Sequence, residues 1–414
     1  MVKANHIFRA LHHRNYRLYF VGQSISVIGT WMQRMAVNWL IYSITHSAIM
    51  LGVAGFAEQI PTFILSPYGG VITDRYNRYK VLLVTQCASM VQASMLAVLV
   101  LSGHYTVAEI ILLSTLLGTI KAFDIPSRQS LMVELVEGRN DLSNAIALNS
   151  SMVNTARFIG PAIAGVLLVS FGEGICFLLN AVSFIAVIAC LLMMKIPPRT
   201  LVKKKHTNAF REFREGFAYL RQSPALAAVI GMLALVSLVG LPYDTLLPIF
   251  AKDIFKGNAS VYGWLSSVSG VGAVVGAIYL ASLKSDRYLY KIIAVAAALF
   301  GISLLLFAAT PHLGLALFFI MISGFGRMAQ TAASNTYLQT TVSNEMMGRM
   351  LSFYVMAFQG MQPIGSFLVG NIAHWIGAPY TIMLEGTACI LVAAGFMAYL
   401  KRKKLIPHAV KSAC

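Results

Sequence analysis

The sequence predicts an all-α membrane protein of twelve transmembrane helices in two six-helix pseudo-repeats, with both termini in the cytoplasm. Three observations predict this fold: twelve apolar stretches, basic residues concentrated on one side of them, and motifs that recur in the two halves. Hydrophobic residues make up 57% of the chain and charged residues only 11%. A bilayer accepts such a composition because a helix pairs its backbone groups internally.

The apolar stretches have the length of membrane helices, which need roughly 20 residues to cross the hydrocarbon. A membrane barrel would instead show alternating segments of about ten residues. In chain order the predicted spans are Leu18–Ile44, Ala48–Ile72, Val81–Leu101, Val107–Ile125, Leu142–Phe171, Gly174–Met194, Leu226–Phe250, Tyr262–Leu283, Ile292–Thr310, Leu313–Leu338, Leu351–Ile376 and Tyr380–Leu400.

The basic residues orient these spans. The net charge is +17, and the Lys and Arg residues fall before the first span, in alternate joints and after the last span. The opposite side has only Lys252 and Lys256, so the positive-inside rule predicts that both termini are cytoplasmic. The predicted location is the inner, cytoplasmic membrane of a bacterium. This placement explains the charge without a nucleic-acid partner. The basic, aromatic lead-in from His6 to Tyr19 is expected to lie at the lipid headgroups.

The longest polar stretch divides the chain into a bundle at 1–195, a linker at 196–223, and a second bundle with a basic tail at 224–414. In the linker, apolar residues at helical spacing indicate an amphipathic surface helix, although a solvated basic linker explains them equally well. The residues are Phe210, Phe213, Phe217 and Leu220. The halves echo each other, since Thr73-Asp74-Arg75-Tyr76 after span two recurs as Ser285-Asp286-Arg287-Tyr288 after span eight. Parallel repeats of this kind place a substrate site between the halves, near the bilayer midplane.

The loop after span two resembles the cytoplasmic loop motif of the major facilitator superfamily. The matching residues are Gly70, Asp74, Arg75 and Arg78, and Asn77 replaces a second glycine with a residue that tolerates a left-handed backbone. The resemblance implies that this loop is a gating latch. Asp74 would face a helix N-terminus, where negative charge is favoured. Arg75 or Arg78 would reach an acid such as Asp124.

Span five is similar to the antiporter signature of the same superfamily, through Gly160, Pro161 and Gly165. Close packing of helices through small residues is the other explanation of this pattern. The context from Asn144 to Arg157 resembles the drug and siderophore exporter branch, which includes enterobactin-type exporters and macrolide efflux pumps. The resemblance implies proton-coupled export and covers essentially the whole chain.

A charge inside a span is expensive, so it is usually paired, cavity-facing or functional. Arg34 and Glu58 lie at similar depth in spans one and two and are the predicted ion pair, either as a proton-coupled switch or as a static pair. Asp244, between two prolines of span seven, is the next candidate for proton coupling. Glu109 and Glu385 lie in outer turns and are expected to face water.

Polar stripes on spans one and ten, together with Arg157 of span five, predict the substrate cavity. The candidates are Gln23, Thr30, Gln33, Arg34, Asn38, Arg157, Ser323, Arg327, Gln330, Ser334 and Tyr337. Three arginines in one cavity would favour an anionic substrate, although each arginine is as readily explained by a neighbouring acid.

These features predict a secondary transporter that exports a small organic molecule, siderophore or drug-like, by proton antiport with alternating access. The alternatives are a lipid or lysolipid flippase of the same fold and a non-transporting membrane receptor. The sequence has no phosphate-binding glycine loop for ATP, no metal-ligand spacing and no enzyme motif, so no cofactor or metal is expected. The expected partners are the substrate, protons and membrane lipids, with the protein a monomer.

Overall fold

The computed structural model describes residues 8–136, 138–195, 209–283, 288–343 and 345–403, without the side chains of Asp74, Arg139, Asn140 and residues 209–212. Within these ranges the chain is helical and contains no strand. The first six helices are α1 (Arg14–Thr45), α2 (Ala48–Arg75), α3 (Arg78–Leu101), α4 (Val107–Glu134), α5 (Arg139–Phe171) and α6 (Glu173–Leu192). The remaining helices are α7 (Ala209–Gln222), α8 (Pro224–Val239), α9 (Leu247–Ile249), α10 (Ala259–Ala281), α11 (Leu289–Ala309), α12 (Leu313–Thr341), α13 (Met347–Val355), α14 (Met361–Ile376) and α15 (Ala378–Arg402).

Each predicted span coincides with helix, but spans seven and eleven are interrupted. Span seven continues from α8 through a 3₁₀ segment, Leu241–Leu246, and ends in a π-helical turn, Phe250–Ile254. Pro242 and Pro248 lie in this stretch, and proline removes a backbone donor and disrupts the regular ladder. A second π turn, Met356–Gly360, separates α13 from α14.

Nine helical segments of the described residues are long and apolar enough to cross a membrane by length and composition. The count of twelve spans and the orientation of the termini stay predictions. Local chemistry explains several helix starts. The Thr106 hydroxyl and Glu109 form a reciprocal capping box at the start of α4. Left-handed glycines, Gly172 and Gly377, precede α6 and α15.

The chain forms two compact units. The first unit is drawn from residues 1–204, 244–270 and 366–378, and the second from residues 205–243, 271–365 and 379–414. In the first unit, α2 packs along α4, α1 packs along α6, and α3 contacts both α4 and α6. In the second unit, α11 packs along α12, and α8 contacts the π turn at Met356–Gly360. The six-plus-six division at residues 195 and 223 stays a prediction.

The described part of the lead-in, from residue 8 onward, packs on the protein. Arg9–His12 forms a 3₁₀ turn, and the Ala10 amide donates to Asn144 Oδ1 of α5 at 2.9 Å. Tyr16 and Tyr19 are fully buried, and the Tyr16 hydroxyl donates to the Ala145 carbonyl at 2.9 Å. These aromatic rings complete the packing of α1 against α5, and the headgroup depth of the lead-in stays a prediction.

The linker contains the helix that the spacing of its apolar residues predicts, α7. Leu220 is buried in an apolar cluster with Leu226 and Met350. Phe213 stacks on Phe353 of α13 with ring centroids 5.0 Å apart. The Arg349 guanidinium lies 2.8 Å from the Glu215 carboxylate. α7 therefore docks on protein as well as presenting a polar face; the predicted Phe210 side chain lies outside the described part of the chain.

Gly118 controls the packing of α2 on α4. A Cβ atom added at Gly118 would overlap the carbonyl oxygen of Glu58, so the two backbones touch here. The Thr62 hydroxyl donates to the Gly118 carbonyl at 2.7 Å across the same contact. Small residues at such positions let membrane helices approach closely.

We expect Gly118→Ala to lower the free energy of unfolding by about 1–3 kcal/mol, because the added methyl overpacks the contact. Gly231→Ala in α8 is the matched control, since its Cβ meets nothing within 4 Å. Alanine in a helix interior is favoured over glycine by up to ~1 kcal/mol, so the control should be neutral or stabilised. Thermal unfolding in detergent measures both, and equal melting temperatures for Gly118→Ala and the parent would contradict the assignment.

Candidate functional site

Glu58 of α2 lies between two cations from two other helices. Its Oε1 is 2.7 Å from the ammonium nitrogen of Lys121 on α4, and its Oε2 is 3.8 Å from Nε of Arg34 on α1. The Glu58 side chain is only 13% exposed. The structure therefore brings Arg34 and Glu58 together, as the sequence predicts, and adds a nearer partner that sequence reasoning missed.

Lys121 reaches Glu58 because Gly118, one helical turn earlier on α4, touches the backbone of Glu58. Because the helices touch at Gly118, the Lys121 side chain is long enough to reach the Glu58 carboxylate. A lone lysine inside the apolar run of span four was the signal available in the sequence. Glu58 is the only acid of span two, but the sequence does not show that its side chain faces span four, because that depends on helix rotation.

Trp31 of α1 lies between Arg34 and a second charged residue, Arg157 of α5. The guanidinium carbons of Arg34 and Arg157 lie 5.4 Å and 5.3 Å from the centre of the Trp31 indole. Cations attract the negative face of an aromatic ring at this range. Arg157 also lies 3.7 Å from the Asp244 carboxylate, and both side chains are about one-third exposed. Each of these two arginines therefore has an acidic neighbour, which weakens the expectation of an anionic substrate based on arginine number alone.

The signature residues of α5 position this group. A Cβ at Gly160 would lie 2.6 Å from Cβ of Trp31, so Gly160 allows α5 to rest on α1 at the indole. Further along α5, Gly165 meets Gly263 of α10, and the Ser260 hydroxyl donates to the Gly165 carbonyl at 3.1 Å. The carbonyl of Pro161 also lies against Gly263. The three predicted residues thus pack helices closely, and this contact does not distinguish an antiporter function from packing alone.

Most of the α1 stripe is used for contacts inside the first unit. Gln33 is buried, accepts from the Asn180 amide at 2.7 Å and donates to Gln92 at 3.1 Å. The Thr30 hydroxyl donates to the carbonyl of Ser26 in its own helix. Asn38 donates to the Tyr262 hydroxyl at 3.4 Å. Arg34 is the charged residue among the α1 candidates, and its side chain is 35% exposed beside the Glu58 carboxylate.

The α12 stripe is likewise turned inward, in the second unit. Ser323, Arg327, Gln330 and Ser334 are buried, and Tyr337 is partly buried. The Ser323 and Ser334 hydroxyls donate to carbonyls of their own helix, at 2.8 Å each. Their periodicity was predicted correctly, and their role as substrate contacts stays a proposal.

The gating motif differs from its predicted pairing. Asp124 accepts from Thr85 at 3.0 Å and from Gln86 at 2.6 Å, and it also pairs with Arg128 one turn along α4. Arg78 pairs instead with Glu134 at 2.6 Å. Arg78 therefore reaches an acid, as predicted, but that acid is Glu134, whereas Asp124 pairs with Arg128 of its own helix. Arg128 also donates to Gln23 at 3.4 Å.

The backbone of the motif corrects the expectation at Asn77. Asn77 has φ −64° and caps α3 by accepting from the Lys80 amide at 3.2 Å, so it is not left-handed. The close approach occurs at Gly69, whose Cβ would overlap the Ala122 carbonyl, whereas a Cβ at Gly70 would meet nothing within 4 Å. The side chain of Asp74 lies outside the described part of the structure, and Arg75 is exposed at the end of α2.

We expect Lys121→Met to lower the free energy of unfolding by about 1–3 kcal/mol, because it removes the 2.7 Å partner of a largely buried carboxylate. Arg34→Met removes the longer, 3.8 Å contact and should cost less. The double variant Lys121→Met with Glu58→Gln should regain part of the loss, since the buried carboxylate is removed with its nearer base and only the more exposed Arg34 loses its 3.8 Å contact. Chemical denaturation of the parent, Lys121→Met, Glu58→Gln and their double variant measures the coupling, and additive losses would contradict a direct pair.

Comparison with known proteins identifies the family. Residues 6–411 match the family described as transmembrane secretion effector, a branch of the major facilitator superfamily. A staphyloferrin A transporter of Staphylococcus aureus is 28% identical over 400 residues, covering 94% of this chain and 97% of the relative. A macrolide efflux protein of Streptococcus pyogenes is 27% identical, covering 92% and 96%. An enterobactin exporter of Escherichia coli is 25% identical, covering 92% and 90%.

The fold agrees with this family. A bacterial homologue of the human lysosomal transporter Spinster superposes with a TM-score of 0.74 at 14% identity, covering 98% of both chains. The nucleoside transporter NupG superposes with a TM-score of 0.70 at 11% identity, covering 94% of this chain and 98% of that one. The relatives in this family are transporters rather than enzymes. The chain belongs to the transmembrane secretion effector family of the major facilitator superfamily and is an integral membrane transporter of the efflux type.

Proposed function

We propose that the protein is a proton-driven exporter that moves a small organic molecule, siderophore or drug-like, out of the cell by alternating access. The names of the relatives, a staphyloferrin A transporter, a macrolide efflux protein and an enterobactin exporter, support this substrate range. Proton antiport rests on the chain's own charges. No observation favours the flippase or receptor alternatives over export.

The observation that carries the proposal is the position of Glu58 between Arg34 and Lys121. The carboxylate joins α2 to α1 through one cation and to α4 through the other. Protonation of Glu58 removes its charge, and both attractions are lost together. The packing of three helices then responds to a single proton. A two-state element biased by local charge is what conversion of a proton gradient into conformational change requires.

Asp244 and Arg157 form a second, weaker candidate for proton coupling. Their charged groups are 3.7 Å apart, and the acid lies in the 3₁₀ segment Leu241–Leu246, where the helix is already interrupted. Both side chains are more exposed than Glu58, so water reaches them readily. We assign Asp244 to proton access or substrate contact if Glu58 is the coupling acid.

The substrate contacts that we propose are the accessible groups beside the two acids: Arg34, Arg157 and the Trp31 ring between them. The ring offers a surface for stacking, and the guanidinium groups offer hydrogen-bond donors to oxygen-rich molecules. Gly70, Asp74, Arg75 and Arg78, with Asp124, are proposed as the cytoplasmic gating motif, with Asp124 acting through Arg128 instead of Arg78.

We expect uphill export to depend on a proton gradient. In vesicles containing the purified protein, accumulation of staphyloferrin A, enterobactin or erythromycin should stop when the pH gradient is collapsed with an ionophore. ATP should have no effect at a fixed gradient. Accumulation that continues without any ion gradient would reject proton antiport.

We expect Glu58→Gln to abolish uphill export and to leave passive exchange of the same substrate, because the amide mimics a permanently protonated acid. Glu345→Gln, at an exposed glutamate, is the matched control and should behave as the parent. Glu58→Gln with Arg34→Gln should recover part of the stability, since Lys121 still loses its 2.7 Å contact, and should not recover coupling. If Glu58→Gln exports uphill as well as the parent does, Glu58 is not the proton carrier, and Asp244 is the next acid to test.

A further inference from the structure

Glu385 of α15 is a second acid that is removed from water. The residue is 4% exposed, and neither carboxylate oxygen is accessible to solvent. The sequence-based expectation that it faces water at the outer end of span twelve was therefore wrong. Glu385 lies two turns after the start of α15 at Ala378, and the rotation of the helix, which the sequence does not show, places it on the packed face. A buried ionisable residue in a membrane helix is a functional candidate by default.

A buried base lies at the same level of the second unit. Arg327 of α12 is 6% exposed. Its neighbour Gly326 rests on α11, where an added Cβ would lie 2.9 Å from the Phe300 amide nitrogen. Gly386, the neighbour of Glu385, rests on the next residue of α11, since a Cβ at Gly301 would lie 2.5 Å from the Gly386 carbonyl. Glu385 on α15 and Arg327 on α12 therefore lie on two helices that contact α11 at adjacent residues, Gly301 and Phe300.

The internal repeat relates these residues to the charged site of the first unit. Lys121 and Arg327 stand at the same distance in sequence from the N-cap residues of α4 and α12, Thr106 and His312. Both halves therefore place a base at one position of equivalent helices. In the first unit that base pairs with Glu58.

The second half has no acid at the position that corresponds to Glu58. The loop motifs after spans two and eight align Glu58 with Gly270, which has no side chain to ionise. Counted from the left-handed glycines Gly172 and Gly377, Glu385 instead takes the position of Asn180. Asn180 is a neutral amide that donates to Gln33 at 2.7 Å. The second half thus substitutes an acid where the first half has an amide.

We propose that Glu385 is a second proton-binding carboxyl of the exporter, balanced by Arg327 when it is ionised. The inference rests on the proposed function and adds a proton site in the second unit to the one at Glu58. A proton that binds a Glu385 oxygen neutralises the carboxylate and leaves the Arg327 charge to be met by other groups, which shifts the packing of α12 and α15 on α11. Deprotonation reverses the change.

The other titratable groups of the second unit at this level do not replace Glu385. Cys389, one turn along α15, is buried against Gly240. Tyr243, in the segment after α8, is buried with its ring against Phe300, with ring centroids 5.9 Å apart. The facing stretch of α11 contributes Phe300 and Gly301, which do not ionise. An ordinary thiol and an ordinary phenol keep their protons at neutral pH, so Glu385 is the carboxyl of this set.

The first test uses the proton itself as the probe. Infrared difference spectra of the protein in lipid vesicles, between acidic and alkaline buffer, report the carbonyl band of each protonated carboxyl. We expect Glu385→Gln to lose one band that Glu345→Gln retains, and Glu58→Gln to lose a different band. A Glu385→Gln spectrum identical to that of the parent overturns the proposal. If Glu385→Gln fails to insert, Glu385→Gln with Arg327→Gln restores the charge balance and is measured in its place.

The second test separates coupling from folding and from the proposed function. With whichever of staphyloferrin A, enterobactin or erythromycin the parent transports, Glu385→Gln should retain passive exchange. Its gradient-driven accumulation should fall about tenfold or more, within the usual range of coupling between sites. Glu385→Asp, which keeps a carboxyl, should recover accumulation in part. If the parent and Glu385→Gln accumulate substrate equally in response to the proton gradient, this inference alone is overturned. If accumulation by the parent does not depend on the gradient, the proposed function is overturned and the inference with it.

Discussion

The close approach of α2 and α4 at Gly118 is the contact on which the charged site of the first unit depends. Because the Glu58 backbone touches the glycine, the Lys121 side chain one turn later reaches the Glu58 carboxylate at 2.7 Å. A larger residue at 118 would separate the helices and lengthen that distance. Arg34 then completes the site from α1, and Trp31 carries it on to Arg157 and Asp244. The close packing at Gly118 thus determines where the charged side chains of the site lie.

The cost of a charge in lipid explains why these groups occur in balanced sets. Two bases surround Glu58, one base accompanies Asp244, and Asp124 has Arg128 with two further donors. An isolated charge inside a span would be far more expensive. Balanced sets are also easily disturbed, because a single proton on the acid removes the compensation for every base around it. The same physical cost thus explains the balance of charges at the site and the sensitivity to protons that we propose for it.

The two halves solve this problem differently. The first half uses neutral amides for its buried network, with Gln33, Gln92 and Asn180 bonded to one another. The second half has an acid, Glu385, at the position equivalent to Asn180 and a base, Arg327, at the position equivalent to Lys121. The sequence motifs recur in the two halves, while the chemistry at corresponding positions differs. Such divergence is what allows one half to carry a function that the other lacks.

The sequence by itself determined the class of the protein and most of its elements. Twenty-residue apolar runs, sided basic residues and the motifs at Asp74 and Gly160 indicate a helical membrane transporter, because these features follow from the thickness and polarity of the bilayer. Depth along a span also sufficed to pair Arg34 with Glu58. Only the tertiary structure decided which face of each helix is buried and which side chains share a site. Lys121 at Glu58, Arg128 rather than Arg78 at Asp124, and the burial of Glu385 all depend on helix rotation and on close contact at particular glycines, which the periodicity of one helix does not specify.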